Sequence, residues 1–263
     1  VIHNGVAPYP GVIDALRRLK AAGRPVTLLS NAPARARNVI DRIVSIGVPR
    51  DLFGDAVSSG EEVWLNLRDR TDPFYAALGR RCLHLGTSWY GGLLAGLDLE
   101  AVERPDQADF ILNAGPDLAD EAASALLPLL RDAVARGLPM ICANPDLVVV
   151  HGTTRIVCAG QVAKIYEGLG GTVRWHGKPY KSVYRRCLAL PGFADTARVL
   201  AVGDSLRTDI GGAAAAGLDS LLIAGGIHAA EFGWRPGGTL DAAAVLERLG
   251  EARPTYVAPG FGW

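Results

Sequence analysis

Val199-Leu200-Ala201-Val202-Gly203-Asp204-Ser205-Leu206-Arg207-Thr208-Asp209 is the stretch from which the fold reads most directly. Its opening apolar run, Val199 to Val202, reads as a strand. Glycine breaks the run, and a helix opens behind it at Asp209. Two carboxylates therefore leave one strand end together. Hard oxygen ligands clustered this way suit Mg²⁺, which keeps several waters and needs few protein carboxylates. The same residues also suit a turn and a helix cap, and the stretch alone leaves both roles open.

The same alternation extends outward in both directions. Pro10 leads an amphipathic helix carrying Val12, Ala15, Leu16 and Leu19 that stops at Gly23. Val26 to Leu29 reads as a buried parallel strand, and it ends in Ser30-Asn31-Ala32-Pro33. A helix with Val39, Ile40, Ile43 and Val44 runs to Gly47, and Ala56-Val57 opens another short strand. A second series has strands at Cys82 to Leu85, Phe110 to Leu112 and Met140 to Cys142, with a long helix from Leu118 to Ala135 between the last two. A third begins near Trp175. It includes the quoted strand, a helix over Asp209 to Ala216, a strand from Ser220 to Ile223 and a last helix from about Leu240 to Leu249. The final residues, ending in Gly260-Phe261-Gly262-Trp263, give no regular signal. Alternating strands and helices imply an α/β fold built on a doubly wound parallel sheet. Such sheets bind ligands beyond the carboxyl ends of their strands, so polar residues directly after apolar strands become the candidates.

Bulk properties narrow the classes. The 263 residues are enough for one large α/β domain or two ordinary ones. Lys and Arg number 27 and Asp and Glu 27, so the net charge of zero points away from nucleic acid, and no basic run suggests a membrane surface. No apolar stretch reaches the roughly 18 residues that span a bilayer. Cys82, Cys142, Cys158 and Cys187 form no C-x-x-C pair and no zinc-like spacing. Reduced cysteines and no visible signal peptide lead to the expectation of a cytoplasmic protein. The chain starts with Val rather than Met, so a preceding segment is expected.

Two further places carry polar residues of interest. Ser30-Asn31 sits between a strand and a helix, where a hydroxyl and backbone N–H groups either hold a phosphate or cap the helix. Gly177-Lys178-Pro179 precedes a helix rich in Tyr, Arg and Leu, and a lysine between Gly and Pro is a point charge suited to phosphate. Alone, such a lysine reads equally as a solvated surface residue.

Taken in order, Ser30-Asn31, then Lys178, then Gly203-Asp204 through Asp209 resembles motifs two, three and four of the haloacid dehalogenase superfamily. The long interval from Ser30 to Lys178 is similar to the inserted α/β cap of its class IIA branch, which includes p-nitrophenyl and pyridoxal phosphatases. Ala143-Asn144-Pro145-Asp146 matches a motif of that branch. The resemblance implies a core of residues 1–60 and 175–263 and a cap of residues 61–174. It also implies a Mg²⁺-dependent phosphatase acting on a small phosphate ester through an aspartyl-phosphate. By position, Ser30 and Lys178 are catalytic, and Ser30, Asn31, Asn144, Asp146 and Lys178 bind substrate. Asp204 ligates the metal, and Asp209 ligates it through water or orients Lys178. Caps of this type commonly mediate dimers, which leaves a homodimer through the cap open.

The family pattern D-x-D-G-(T/V)-(L/I)-x-x-G meets this chain at Val1-Ile2-His3-Asn4-Gly5, after the motif's first glycine. The resemblance therefore places the nucleophile, the acid/base aspartate and the first strand upstream of Val1. Asp14 reads as a solvated helix residue. A catalytically inactive phosphometabolite-binding or regulatory protein on the same scaffold is the alternative, and the upstream sequence separates the two. A dehalogenase relative would need no Mg²⁺, which the pair Asp204 and Asp209 argues against. Trp89-Tyr90, His151, His176 and His228 remain open between packing and substrate contact.

Overall fold

The computed structural model describes residues 1–86, 92–116, 124–151, 154–227, 229–234, 239–241, 243, 245, 247, 249 and 253–262. Along the chain run α1 (Val12–Ala21), β1 (Leu28–Ser30), α2 (Ala36–Ser45), β2 (Ala56–Ser58), α3 (Ser59–Asp69) and the single turn α4 (Pro73–Ala76). Next come β3 (Arg81–Leu85), β4 (Glu100–Val102), β5 (Phe110–Asn113), α5 (Leu127–Ala135), β6 (Met140–Cys142), β7 (Val148–His151), β8 (Thr154–Val157), α6 (Ala159–Gly168) and β9 (Val173–Trp175). The chain finishes with α7 (Lys181–Leu188), β10 (Leu200–Gly203), α8 (Gly211–Ala216), β11 (Asp219–Ile223) and β12 (Tyr256–Ala258). Two compact units result. Unit one takes Val1–Leu29, Ile40–Ala56 and Lys178–Trp263, and unit two takes Ser30–Val39 and Val57–Gly177.

Unit two is built on a five-stranded, all-parallel sheet in the order β4-β3-β5-β6-β9. Side chains alternate across a strand, and the sequence is apolar at both parities, so the sheet buries both faces. Leu83, Ile111, Met140 and Cys142 pack on one side with Val162, Ala163 and Tyr166 of α6 and with Leu130 and Ala133 of α5. Cys82, Phe110, Leu112 and Ile141 pack on the other with Val63 and Leu67 of α3 and Tyr75 of α4. Ser58 starts α3: its hydroxyl accepts the Glu61 N–H at 3.1 Å and donates to the Ala34 carbonyl at 2.6 Å. β7 and β8 form an antiparallel hairpin.

Unit one carries the parallel three-stranded sheet β10-β11-β12. In α1, Val12, Ala15 and Leu16 recur at i, i+3 and i+4 and are buried. Ile210, Leu222, Ala224, Phe232, Val245 and Leu249 form a core cluster. Among the described residues β10 pairs with β11 alone, and Leu200 at its start is 45% exposed.

The α/β class with parallel sheets is as the sequence indicates, and several boundaries are corrected. β1 starts at Leu28 rather than Val26, whose carbonyl accepts the Gly54 N–H instead. The helix expected from Leu118 begins at Leu127, behind a 3₁₀ turn at 124–126, and part of the expected span lies outside the described residues. Residues 206–210 form a π-helical turn before α8 rather than its first α turn. The C-terminal stretch without a regular signal contains β12. The expected last helix is only partly described, with Val245 N–H bonded to Asp241 O and Leu249 N–H to Val245 O.

Candidate active site

In unit one the end of β10 organises the charged residues. Lys178 Nζ donates to Asp209 Oδ1 at 2.7 Å, with the two side chains 15% and 12% exposed. Asp209 Oδ2 accepts the N–H groups of Asp204 at 3.2 Å and Ser205 at 3.0 Å. Burial pushes the Asp209 carboxyl up, but the Lys178 ammonium and the Ser205 and Asp204 N–H groups outweigh it and hold the group below its usual range. Asp209 is therefore an anion at neutral pH. The helix-cap role left open for it falls to Ser205, whose hydroxyl accepts the Thr208 N–H at 3.2 Å. Gly203 is required by close approach, because a Cβ there would collide with the Asp209 side chain.

Asp204 Oδ2 accepts the Ile227 N–H at 3.3 Å. Asp209 spends both oxygens on Lys178 and the backbone, so its geometry suits orienting Lys178 or ligation through water. Among the described residues no three His, Cys, Asp or Glu side chains gather into a metal-holding group. The Asp204 carboxylate oxygens are hard donors of the kind a divalent ion takes alongside several waters. The phenol of Tyr9 is raised by burial and then by the charge of Asp204.

Unit two holds the other candidates. The Ser30 hydroxyl accepts the Ala32 N–H at 3.1 Å. Asn31 is buried, and its Nδ2 donates to Asp146 Oδ1 at 3.0 Å. Asn144 Oδ1 in turn accepts the Asp146 N–H at 3.0 Å, so the Asn-Pro-Asp loop and Asn31 form one polar cluster. Gly177, the last residue of the unit, has φ +89°, and a Cβ on it would lie 2.8 Å from Asn31 Oδ1 and 3.0 Å from Ser59 Oγ. Its N–H donates to Glu62 Oε2 at 3.3 Å.

Lys178, Asp204 and Asp209 are thus brought together in unit one, and Asn31, Asn144 and Asp146 in unit two, with Ser30 adjacent to Asn31 in the chain. His176 is not an exposed contact. It is 3% exposed, with Nε2 at the Tyr75 hydroxyl and Nδ1 3.2 Å from Glu62 Oε2, off the line of a good hydrogen bond. Trp89, Tyr90 and His228 lie outside the described residues, as does the side chain of His151. Sequence reasoning missed Ser205, Glu62 and Tyr184. Of these Ser205 alone had a local signal, as Ser preceding a turn by the capping spacing.

Family profiles described as haloacid dehalogenase-like hydrolase and HAD-hydrolase-like match residues 1–99 and 175–262. A solved hydrolase of the haloacid dehalogenase-like family from Brucella suis 1330 superposes with a TM-score of 0.81 at 33% identity, over 99% of this chain and 92% of that one. The D-glycerol 3-phosphate phosphatase of Mycobacterium tuberculosis is 28% identical over 233 residues, which is 86% of this chain. The chain spans 61% of that relative's length. The ribonucleotide monophosphatase NagD of Escherichia coli K12 is 26% identical over 86% of this chain and 84% of its own.

Proposed function

Because the chain belongs to the haloacid dehalogenase-like hydrolases, we propose that it serves as a phosphomonoester hydrolase for a small phosphorylated metabolite. The observation that carries the reading is the Lys178–Asp209 pair at 2.7 Å, set beside Asp204 at the end of one strand. An ammonium held by a buried carboxylate is a preorganised positive charge of the kind that stabilises a phosphoryl group in transit. The relatives named as phosphatases support the same reaction class.

In this reading Lys178 binds phosphate oxygens and Ser30 donates its hydroxyl to one of them. Asn31, held by Asp146, fixes the loop behind Ser30. Asp204 holds Mg²⁺, with Asp209 behind it, and the ion when bound offsets the repulsion between an attacking carboxylate and the phosphate. The attacking carboxylate in this reading is the first aspartate of the family pattern, whose tail the chain matches from Val1. Residues 61–174, all within unit two, act as a cap that excludes water from the ester and sets specificity. A homodimer through that cap belongs to the same reading.

The test is phosphate release from p-nitrophenyl phosphate and a panel of small phosphate esters by the full-length protein with Mg²⁺. Lys178→Ala should lower turnover at least about a hundredfold, and wild-type turnover in that variant would refute the assignment. If the sequence upstream of Val1 supplies no aspartate at the strand end, the reading passes to a phosphometabolite-binding protein on the same scaffold.

A further inference from the structure

We propose that Tyr184 is a positioning residue for Lys178, acting through the turn that carries Asp209. The proposal rests on the reading of Lys178 as the residue that neutralises phosphate, and it adds how that lysine is kept in place. Tyr184 lies in α7, the helix that Lys178-Pro179 leads into, and is 3% exposed. Its hydroxyl stands 3.2 Å from the Thr208 carbonyl and 3.2 Å from the Asp209 carbonyl and donates to both.

Those carbonyls belong to the π-helical turn Leu206–Ile210. A π turn shifts the i→i+4 ladder by a residue; the Thr208 carbonyl still accepts the Gly211 N–H, and its second lone pair has room for a further donor. The Tyr184 hydroxyl is placed to supply it. Burial, and after it the negative charge of Asp209, raises the phenol, so the group stays protonated and remains a donor. Space for it exists because residue 212 is glycine: a Cβ there would collide with the Tyr184 hydroxyl and ring.

Asp209 is thereby held at both ends. Its carboxylate is fixed by two backbone N–H groups and Lys178, and its carbonyl by Tyr184. Swinging the carboxylate away from Lys178 requires breaking one of these anchors. A tyrosine buried for packing alone would be replaced by phenylalanine without consequence, so the hydroxyl is the discriminating group.

The experiment is a double-mutant cycle on the full-length protein, read as the affinity for inorganic phosphate by calorimetry, with Mg²⁺ present and again after chelation. The four proteins are wild type, Tyr184→Phe, Lys178→Ala and the double variant. Tyr184→Phe should weaken phosphate binding roughly fivefold in the wild-type background and leave it unchanged in the Lys178→Ala background, since residues acting as one unit are non-additive. Replacing Tyr184 with 3-fluorotyrosine, which keeps the hydroxyl, should restore wild-type affinity. Equal weakening in both backgrounds, or no weakening in folded Tyr184→Phe, overturns the proposal. If Lys178→Ala binds phosphate as wild type does, the functional reading of the site falls with it. If Lys178→Ala loses phosphate and Tyr184→Phe keeps it, the role of Tyr184 alone falls. Should Tyr184→Phe not fold, Gly212→Ala, which displaces the hydroxyl, takes its place in the cycle with the same expectations.

Discussion

Replacing Asp209 with asparagine separates charge from shape at the centre of the site. The amide keeps one carbonyl oxygen, which can serve the N–H groups of Asp204 and Ser205, but it then turns an NH₂ group toward the Lys178 ammonium. Removing one partner of a buried ion pair costs about 3–5 kcal/mol. The pair here retains exposures of 15% and 12%, and the amide keeps its backbone contacts. The expected loss at pH 7 is therefore about 2–3 kcal/mol. The pH dependence gives a second check. The folded chain holds the Asp209 carboxyl below its usual range, so it favours the ionised form more than the unfolded chain does. Its stabilising contribution is complete above the unfolded value of about 3.9 and is lost as pH falls through the lower folded value. The gap between wild type and Asp209→Asn should accordingly be widest near neutrality and close in acid. Hydrogen exchange at the β10 amides reports unit one by itself and is the assay to use, at pH 7 and across the acid range. A penalty under about 1 kcal/mol, or one that stays constant into acid, would show that the ion pair does not organise the site.

Three other outcomes are expected. Asp204→Asn should raise the Mg²⁺ concentration for half-maximal turnover by roughly tenfold or more, measured by metal titration after chelation, and an unchanged requirement would remove Asp204 from the metal site. Gly177→Ala should cost about 1–3 kcal/mol in denaturant unfolding, because its φ of +89° and the nearby Asn31 and Ser59 oxygens both exclude a Cβ; an unaltered midpoint would contradict this. Ser30→Ala should lower kcat/KM roughly tenfold or more while changing stability by less than about 1 kcal/mol. The opposite pattern would reduce Ser30 to the turn residue its bond to Ala32 also permits.

The chemistry at the end of β10 was legible because it is local. An apolar run, a glycine and two aspartates declare a strand end by spacing alone, and the alternating elements around it gave the parallel α/β class. Asn31 and Asp146 were both named, but nothing in either segment indicates that they bond to each other, since their contact closes over more than a hundred residues. Glu62 and Tyr75 lie on amphipathic helical stretches where their neighbours look like ordinary core, and their burial against His176 exists only after the chain has folded. The π-helical turn is silent for a different reason: one extra residue in a turn leaves the apolar spacing of Leu206 and Ile210 compatible with an ordinary helix. β12 escaped because Tyr256-Val257-Ala258 is too short to show a period and is a strand only by virtue of pairing with β11.

The way the two units share the chain bears on how the protein is made. The sheet of unit two is complete once Trp175 has been synthesised, whereas the sheet of unit one waits for Tyr256–Ala258. At about 5–20 residues per second, ribosomal synthesis takes roughly 4–16 s to cover that interval. Through those seconds the sheet of unit two is complete while unit one still lacks its full set of β10, β11 and β12. The segments of unit one that precede unit two in the chain, α1 among them, are exposed to chaperones and proteases for that interval.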